Sequence, residues 1–284
     1  MRVKFWGVRG SVPVADQHMM RYGGNTSCVE VTLADGTEII LDAGTGIRGL
    51  SAARSNEIRS AQILLTHLHL DHIQGLLFFA PLFDPRSRVE VYGPLQVGPD
   101  LQVRLARYLS EPLSPVEIRE LPAAVSFTAC PDREWELGPA RIQATTVHHR
   151  GVTLGYRISE GNAVLTYIPD HEPGLGGNLD EDKAEWISGL GLAEKASLLI
   201  HDCQYTDDEY PNHVGWGHSG LSDALAFGRR AEVEQIALFH HNPVHDDAML
   251  DRFEAQAKEQ WSSLGRDPKT ACLAREQTVF NLGE

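Results

Sequence analysis

Short runs of β-branched or alternating apolar residues, each cut off by Gly, Asn, Asp or Pro, recur through both halves of the chain, which is the pattern of strands. They predict strands over residues 3–8, 28–33, 38–41, 62–65, 88–92, 141–147, 153–158, 163–168, 197–200 and 235–239. Asp35-Gly36 and Gly161-Asn162 fall between successive runs, where a tight hairpin needs positive φ. Helical spacing is sparser. Met249, Leu250, Phe253, Ala257, Trp261 and Leu264 form a stripe at three- and four-residue intervals behind a capping Asp246, and Leu221, Ala224, Leu225 and Gly228 predict another helix with Ser219 or Ser222 as its cap. Weaker helical patterns cover residues 46–53, 73–79, 97–109 and 181–190.

The strands come in two blocks, from residue 3 to about 92 and from about 125 to 240, with helical patterns after each. That order suits an α/β architecture of two packed sheets with helices outside. No repeat, low-complexity tract or linker divides the chain, so residues 1–284 are expected to form a single domain.

The 25 Lys and Arg face 39 Asp and Glu, a net charge of −14. Such a balance gives no global attraction to polyanions and makes nucleic acid a disfavoured partner, while leaving room for a small anionic ester held by bound metal ions. Four scattered cysteines form no CxxC pair, so reduced thiols and a cytoplasmic location are expected. The apolar stretch at 73–83 is too short for a membrane span, and the first ten residues lack the apolar core of a signal peptide.

The segment most telling for chemistry is Thr66-His67-Leu68-His69-Leu70-Asp71-His72, directly after a strand-like run. Residues two apart on an extended chain point the same way, so His67 and His69 can share one metal while Asp71 and His72 turn toward another. Imidazoles with a carboxylate suit Zn²⁺ and accept Mn²⁺ or Fe²⁺.

These residues match the HxHxDH signature and resemble the metallo-β-lactamase superfamily. The resemblance implies an αββα sandwich with a dinuclear metal site at one edge of its sheets. His72 also makes an antibiotic substrate a poor expectation. The run of residues 147–158, VHHRGVTLGYRI, resembles the ribonuclease Z-like branch and selects His149 over His148 as a ligand. Asp170, at the end of VLTYIPD, matches the carboxylate that bridges the metals, and His171 after it stands where relatives carry a small residue, narrowing the mouth. In QIALFHHNP the match selects His240 over His241. The implied set is His67, His69 and His149 on one ion, Asp71, His72 and His240 on the other, and Asp170 between them.

The same branch implies catalytic roles for His218, in GWGHSG, as the proton donor to the leaving alkoxide, and for Asp71 as a general base beside its ligand role. His201-Asp202 matches a His-Glu pair that supports the ligands, and Asp42 is placed to orient a ligand His. The glycine-bearing segments at 6–13 and 22–31 permit close backbone approach to the site. The acidic run Asp207-Asp208-Glu209 near His218, and the lack of a basic Gly/Pro-rich arm, argue against gripping a folded RNA. The expectation is therefore a phosphodiesterase acting on a small ester, a 3′,5′-cyclic nucleotide first. Tyr205, Tyr210 or Trp216 would face the base, and Arg9 or Arg150 the phosphate. An RNA-processing endonuclease acting at tRNA 3′ ends, or a thioester or lactone hydrolase, is the alternative. Related enzymes imply a homodimer.

Overall fold

The computed structural model describes residues 1–54, 57–130 and 133–283. Its strands are β1 (Arg2–Gly7), β2 (Cys28–Thr32), β3 (Glu38–Leu41), β4 (Ser60–Leu64), β5 (Arg88–Pro94), β6 (Ala124–Cys130), β7 (Arg133–Leu137), β8 (Ala140–Val147), β9 (Thr153–Glu160), β10 (Ala163–Ile168), β11 (Leu198–Asp202), β12 (Ile236–Phe239), β13 (Ala271–Leu273) and β14 (Val279–Asn281). The helices are α1 (Gly46–Arg54), α2 (Leu70–Ile73), α3 (Leu101–Tyr108), α4 (Leu190–Ala193), α5 (Leu221–Arg230) and α6 (Asp247–Ser263). Two seven-stranded sheets result, ordered β14-β1-β2-β3-β4-β5-β6 and β13-β12-β11-β10-β9-β8-β7. Each is antiparallel in one part and parallel in the other: β3 to β6 run parallel in the first, and β10 to β13 in the second.

The sheets face each other over a core that includes Phe5, Val31, Leu41, Ile142, Tyr156, Leu165, Tyr167 and Phe239. The outer face of the first sheet is covered through Ile47 and Leu50 of α1 and Leu101 and Leu105 of α3. The outer face of the second is covered through Phe227 of α5 and Phe253 and Trp261 of α6. This is the layered αββα arrangement, and apolar burial on both faces of the sheets is its main source of stability.

All ten predicted strands form, within a few residues at their ends. Gly36 and Gly161 adopt φ of 86° and 57°, as the two hairpins require. Strands β6, β7, β13 and β14 were not anticipated. Both β7 and β14 are sheet edges, β6 is half-exposed, and β13 and β14 are three residues each, too short for a period of two to show. Helix α6 begins where predicted, with Asp246 accepting from the Met249 N–H. The α5 cap is not as expected. Gly220 is its N-cap residue, the Ser219 hydroxyl donates to the His171 carbonyl, and the Asp207 carboxylate takes the Ser222 N–H from outside the helix. The 73–79 and 181–190 patterns yield short helical turns, broken at Gly75 and at Gly189, whose φ is 70°.

Candidate metal centre

The parallel strands β3, β4, β10, β11 and β12 all end on one rim, the place where α/β sheets gather functional side chains. Asp42 follows β3, Thr66 to His72 follow β4, Asp170 follows β10, Asp202 closes β11 and His240 follows β12. The chain leaving β4 stays extended to His69, whose φ and ψ are −65° and 151°, and then turns into α2. The extended part aims His67 and His69, and the first helical turn brings in Asp71 and His72.

These side chains converge. Asp170 Oδ2 stands 3.8 Å from His67 Nε2, 3.6 Å from His149 Nε2 and 3.3 Å from His240 Nε2. Asp170 Oδ1 is 3.1 Å from His72 Nε2. Asp71 Oδ2 is 3.4 Å from His72 Nε2 and 3.2 Å from His240 Nε2, and His69 Nδ1 is 3.3 Å from His149 Nε2. Potential ligand atoms of His67, His69 and His149 form one group within 4.8 Å of one another, and those of Asp71, His72 and His240 form a second.

The far nitrogens of the rings are held from outside the cluster. His72 Nδ1 donates to Asp42 Oδ2 at 2.8 Å, His149 Nδ1 to the Gly217 carbonyl at 2.6 Å, and His240 Nδ1 to Gln204 Oε1 at 2.9 Å. His67 Nδ1 lies 3.1 Å from the Thr66 hydroxyl, which itself donates to Asp42. A ring fixed in this way presents a lone pair on Nε2, the form a cation needs. Among the described residues the buried Nε2 of His67 has no hydrogen-bond partner, and Nε2 of His72 and Oδ1 of Asp170 face each other at 3.1 Å; an orphaned buried polar atom is costly unless a ligand meets it. The donor set therefore fits divalent cations.

Electrostatics agree. Burial lowers the pKa of His67, His69 and His149, keeping them neutral. At His72 and His240 burial also opposes charge, but Asp170, Asp71 and, at His72, Asp42 outweigh it and raise both above the ordinary imidazole range. For Asp71 and Asp170 burial works against ionisation, and the surrounding imidazoles outweigh it and hold both well below the ordinary carboxylate range. The cluster thus draws positive charge to itself.

Support comes from residues that the sequence showed only in part. Asp42, at φ 59°, receives the Thr66 N–H and the Tyr167 hydroxyl besides His72. Ser11, at φ 62°, donates its N–H to Asp71 Oδ2 at 2.7 Å. A side chain at Gly10 would begin 2.3 Å from His240 Nδ1, so close backbone approach is what that glycine supplies. Three residues at the site, Ser11, Asp42 and His240, whose φ is 62°, hold a left-handed backbone that non-glycine residues adopt at a cost.

His218 Nδ1 donates to Asp202 Oδ2 at 2.6 Å, and its ring lies 4.8 Å from that of His149 and 4.9 Å from that of His240, centroid to centroid. Glu172, fully buried, was not singled out from the sequence. It accepts the N–H groups of Gly215 and Gly217, each at 2.7 Å, and the Tyr210 hydroxyl at 3.1 Å, so it holds the loop that carries His218.

Other expected residues lie elsewhere. His148 is exposed outside the cluster, and His241 is buried with Nε2 donating to the Ala274 carbonyl. His171 does not narrow the mouth: it is buried behind the site, its Nδ1 2.9 Å from His201 Nε2, both rings against Phe227. Burial pushes His201 down to about 4, so that imidazole stays neutral. Arg9 is fully buried and serves the carbonyls of Gly23, Asn242 and His245 instead of a phosphate. Tyr205 is buried, whereas Arg150 and Trp216 stand at the surface beside His218.

The family model described as the beta-lactamase superfamily domain matches residues 37–241. Ribonuclease Z of Thermococcus gammatolerans is 25% identical over 285 aligned positions, covering 84% of this chain and 83% of that protein. Among solved structures, the metallo-beta-lactamase fold protein YhfI from Bacillus subtilis superposes with a TM-score of 0.71 at 18% identity over 98% of each chain. Human tRNase Z, short form, superposes with a TM-score of 0.69 at 19% identity over 100% of each. These names correct the expectation that the substrate is a small molecule and nucleic acid a disfavoured partner. The physical error lay in reading a site from a net charge: the average over the surface does not set the potential where cations would gather. Two of the three carboxylates in the acidic run near His218 also have partners. Asp207 receives Ser222, and Glu209 pairs with His245 at 2.9 Å.

Proposed function

The chain belongs to the beta-lactamase superfamily, in its ribonuclease Z-like branch, and is a metal-dependent hydrolase acting on phosphodiesters; from that premise we propose that the ester it cuts lies in RNA, with a 3′-extended precursor tRNA as the substrate class. The relatives' names support RNA and lend nothing to a cyclic nucleotide. In this reading His67, His69 and His149 would hold one divalent ion, Asp71, His72 and His240 would hold a second, and Asp170 would serve both. Zinc suits this set of imidazoles and carboxylates best, with manganese or iron as alternatives. Such ions, when bound, acidify water and neutralise charge on phosphorus.

The chain's own residues do the rest. Asp71 takes the proton of the attacking water, with the Ser11 N–H and His240 fixing its carboxylate. His218, as the imidazolium, gives its Nε2 proton to the leaving oxygen as the bond from that oxygen to phosphorus breaks, and Asp202, accepting from Nδ1–H, orients the ring and balances its charge. Asp42, Gln204 and the Gly217 carbonyl keep the ligand rings from rotating. Three of the four cysteines are buried. No helix among the described residues is long and apolar enough to cross a membrane.

The observation that carries the reading is the Asp202–His218 pair at 2.6 Å on the edge of the ligand cluster, since a phosphodiester needs a proton donor for its alkoxide. The test is cleavage of a 3′-extended precursor tRNA by metal-loaded protein, alongside a thioester and a lactone. His218→Ala is expected to keep its fold and metal content and lose about a hundredfold or more in kcat. Wild-type cleavage by that variant, or hydrolysis of the thioester or lactone with the RNA left intact, would overturn the assignment.

A further inference from the structure

Beside His218, on its solvent side, lies an open pocket of about 320 Å³ lined by Ser11, Arg150, Gln204, Tyr205, Trp216 and His218. Trp216 is 54% exposed, an uncommon state for so large an apolar ring in a loop that is otherwise held firmly. The glycines on either side of it, at φ 82° and 90°, are the two whose N–H groups are bound by the buried Glu172 carboxylate. The indole packs edge-on against His213 at 5.0 Å between centroids, and His213 stacks on Tyr205 at 4.2 Å and 16°. Arg150 donates from Nε and Nη2 to the Gly215 carbonyl, so its guanidinium is tethered to the same loop.

We propose that this pocket is the subsite for the nucleoside that carries the leaving oxygen, with its base stacked on Trp216 and the neighbouring phosphate met by Arg150. The inference rests on the RNA reading above and adds to it which nucleotide the chain grips. The group that protonates the leaving oxygen must touch it, so the nucleoside bearing that oxygen lies on the His218 side of the metal centre, where the pocket is. An indole whose backbone is already pinned loses little freedom when a base stacks on it. Stacking on a flat ring accepts any base, which suits a site that must process many RNAs. The Arg150 guanidinium, lining the same pocket, supplies charge for the backbone.

The experiment is a cycle between protein and substrate. Wild type and Trp216→Ala each cut a 3′-extended acceptor-stem hairpin RNA in two forms, one intact and one with a single abasic ribose at the nucleotide bearing the leaving oxygen. The end groups of the products identify that nucleotide. Either change alone is expected to raise KM about tenfold with a smaller effect on kcat, both together no more than one alone, and Trp216→Phe to recover most of the loss. Quenching of tryptophan fluorescence by the intact RNA is expected to fall in Trp216→Phe, a readout independent of turnover. Penalties that add independently, a KM within twofold of wild type in Trp216→Ala, or a larger abasic penalty on the other side of the cut would overturn the subsite while leaving RNA cleavage standing. A loaded wild type that cuts no RNA overturns both.

Discussion

Each oxygen of Asp202 accepts two hydrogen bonds, Oδ2 from His218 Nδ1 and the His171 N–H, Oδ1 from the N–H groups of Gln204 and Ser219. Replacing one oxygen by an amide sets donor against donor whichever way it is turned. Asp202→Asn is therefore expected to lower kcat by about a hundredfold or more with KM changed little, and to alter the limb of the pH–rate profile that reports the proton donor. An unchanged profile at reduced rate would assign Asp202 a purely structural part. The candidate ligands His67, His69, Asp71 and His72 were legible because they sit within one strand-to-helix turn, where local geometry decides direction. His149 over His148 and His240 over His241 needed the resemblance, and the structure places His149 and His240 in the cluster. Glu172 gave no signal, because a buried carboxylate that binds backbone N–H groups of a distant loop looks in sequence like any other Glu.

At the scale of elements, α6 was visible from its apolar stripe and its cap, both local properties. Its neighbour α5 shows the limit of that reading, since Asp207, fifteen residues upstream of Ser222, supplies the cap and no local pattern announces it. Asp246→Ala removes the bond to the Met249 N–H and is expected to cost about 1 kcal/mol, a fall in Tm of roughly 2–4 °C. Because α6 lies behind the second sheet, kcat should hold; thermal unfolding and initial rates on one preparation check both. The two short edge strands at the C-terminus went unread for the same reason as the α5 cap. Three residues pair with β1 or β12 because those neighbours leave an open edge, not because of their own pattern.

For the whole molecule, the rim that gathers the ligands is also where both sheets end, so filling it ties the two halves together. Ions bound only by the folded chain stabilise it by about 4 kcal/mol when present at a thousand times their Kd. Chelation is expected to lower Tm by roughly 5–15 °C, while His218→Ala, with the ligand cluster intact, should show the same drop as wild type. A Tm indifferent to chelator in protein whose metal content has been counted would deny the cluster its role as a metal site.

The sequence by itself determined an architecture of two packed sheets with helices outside, ten of the strands, both tight hairpins and the candidate ligands His67, His69, Asp71 and His72, because periodicity, turn residues and spacing along one extended segment are local physics. Tertiary structure alone decided which imidazole nitrogens are free, through bonds from Asp42, Gln204 and Gly217 that arrive from separate strands and loops. It also decided that Arg9 and His171 are buried supports, that Asp207 and Glu209 of the acidic run bind Ser222 and His245, and that Trp216 is displayed on a clamped loop beside His218. Each of these depends on contacts between residues far apart in the chain. The net charge of −14 misled about nucleic acid for that reason too: a sum over the sequence carries no information on where the charges are placed.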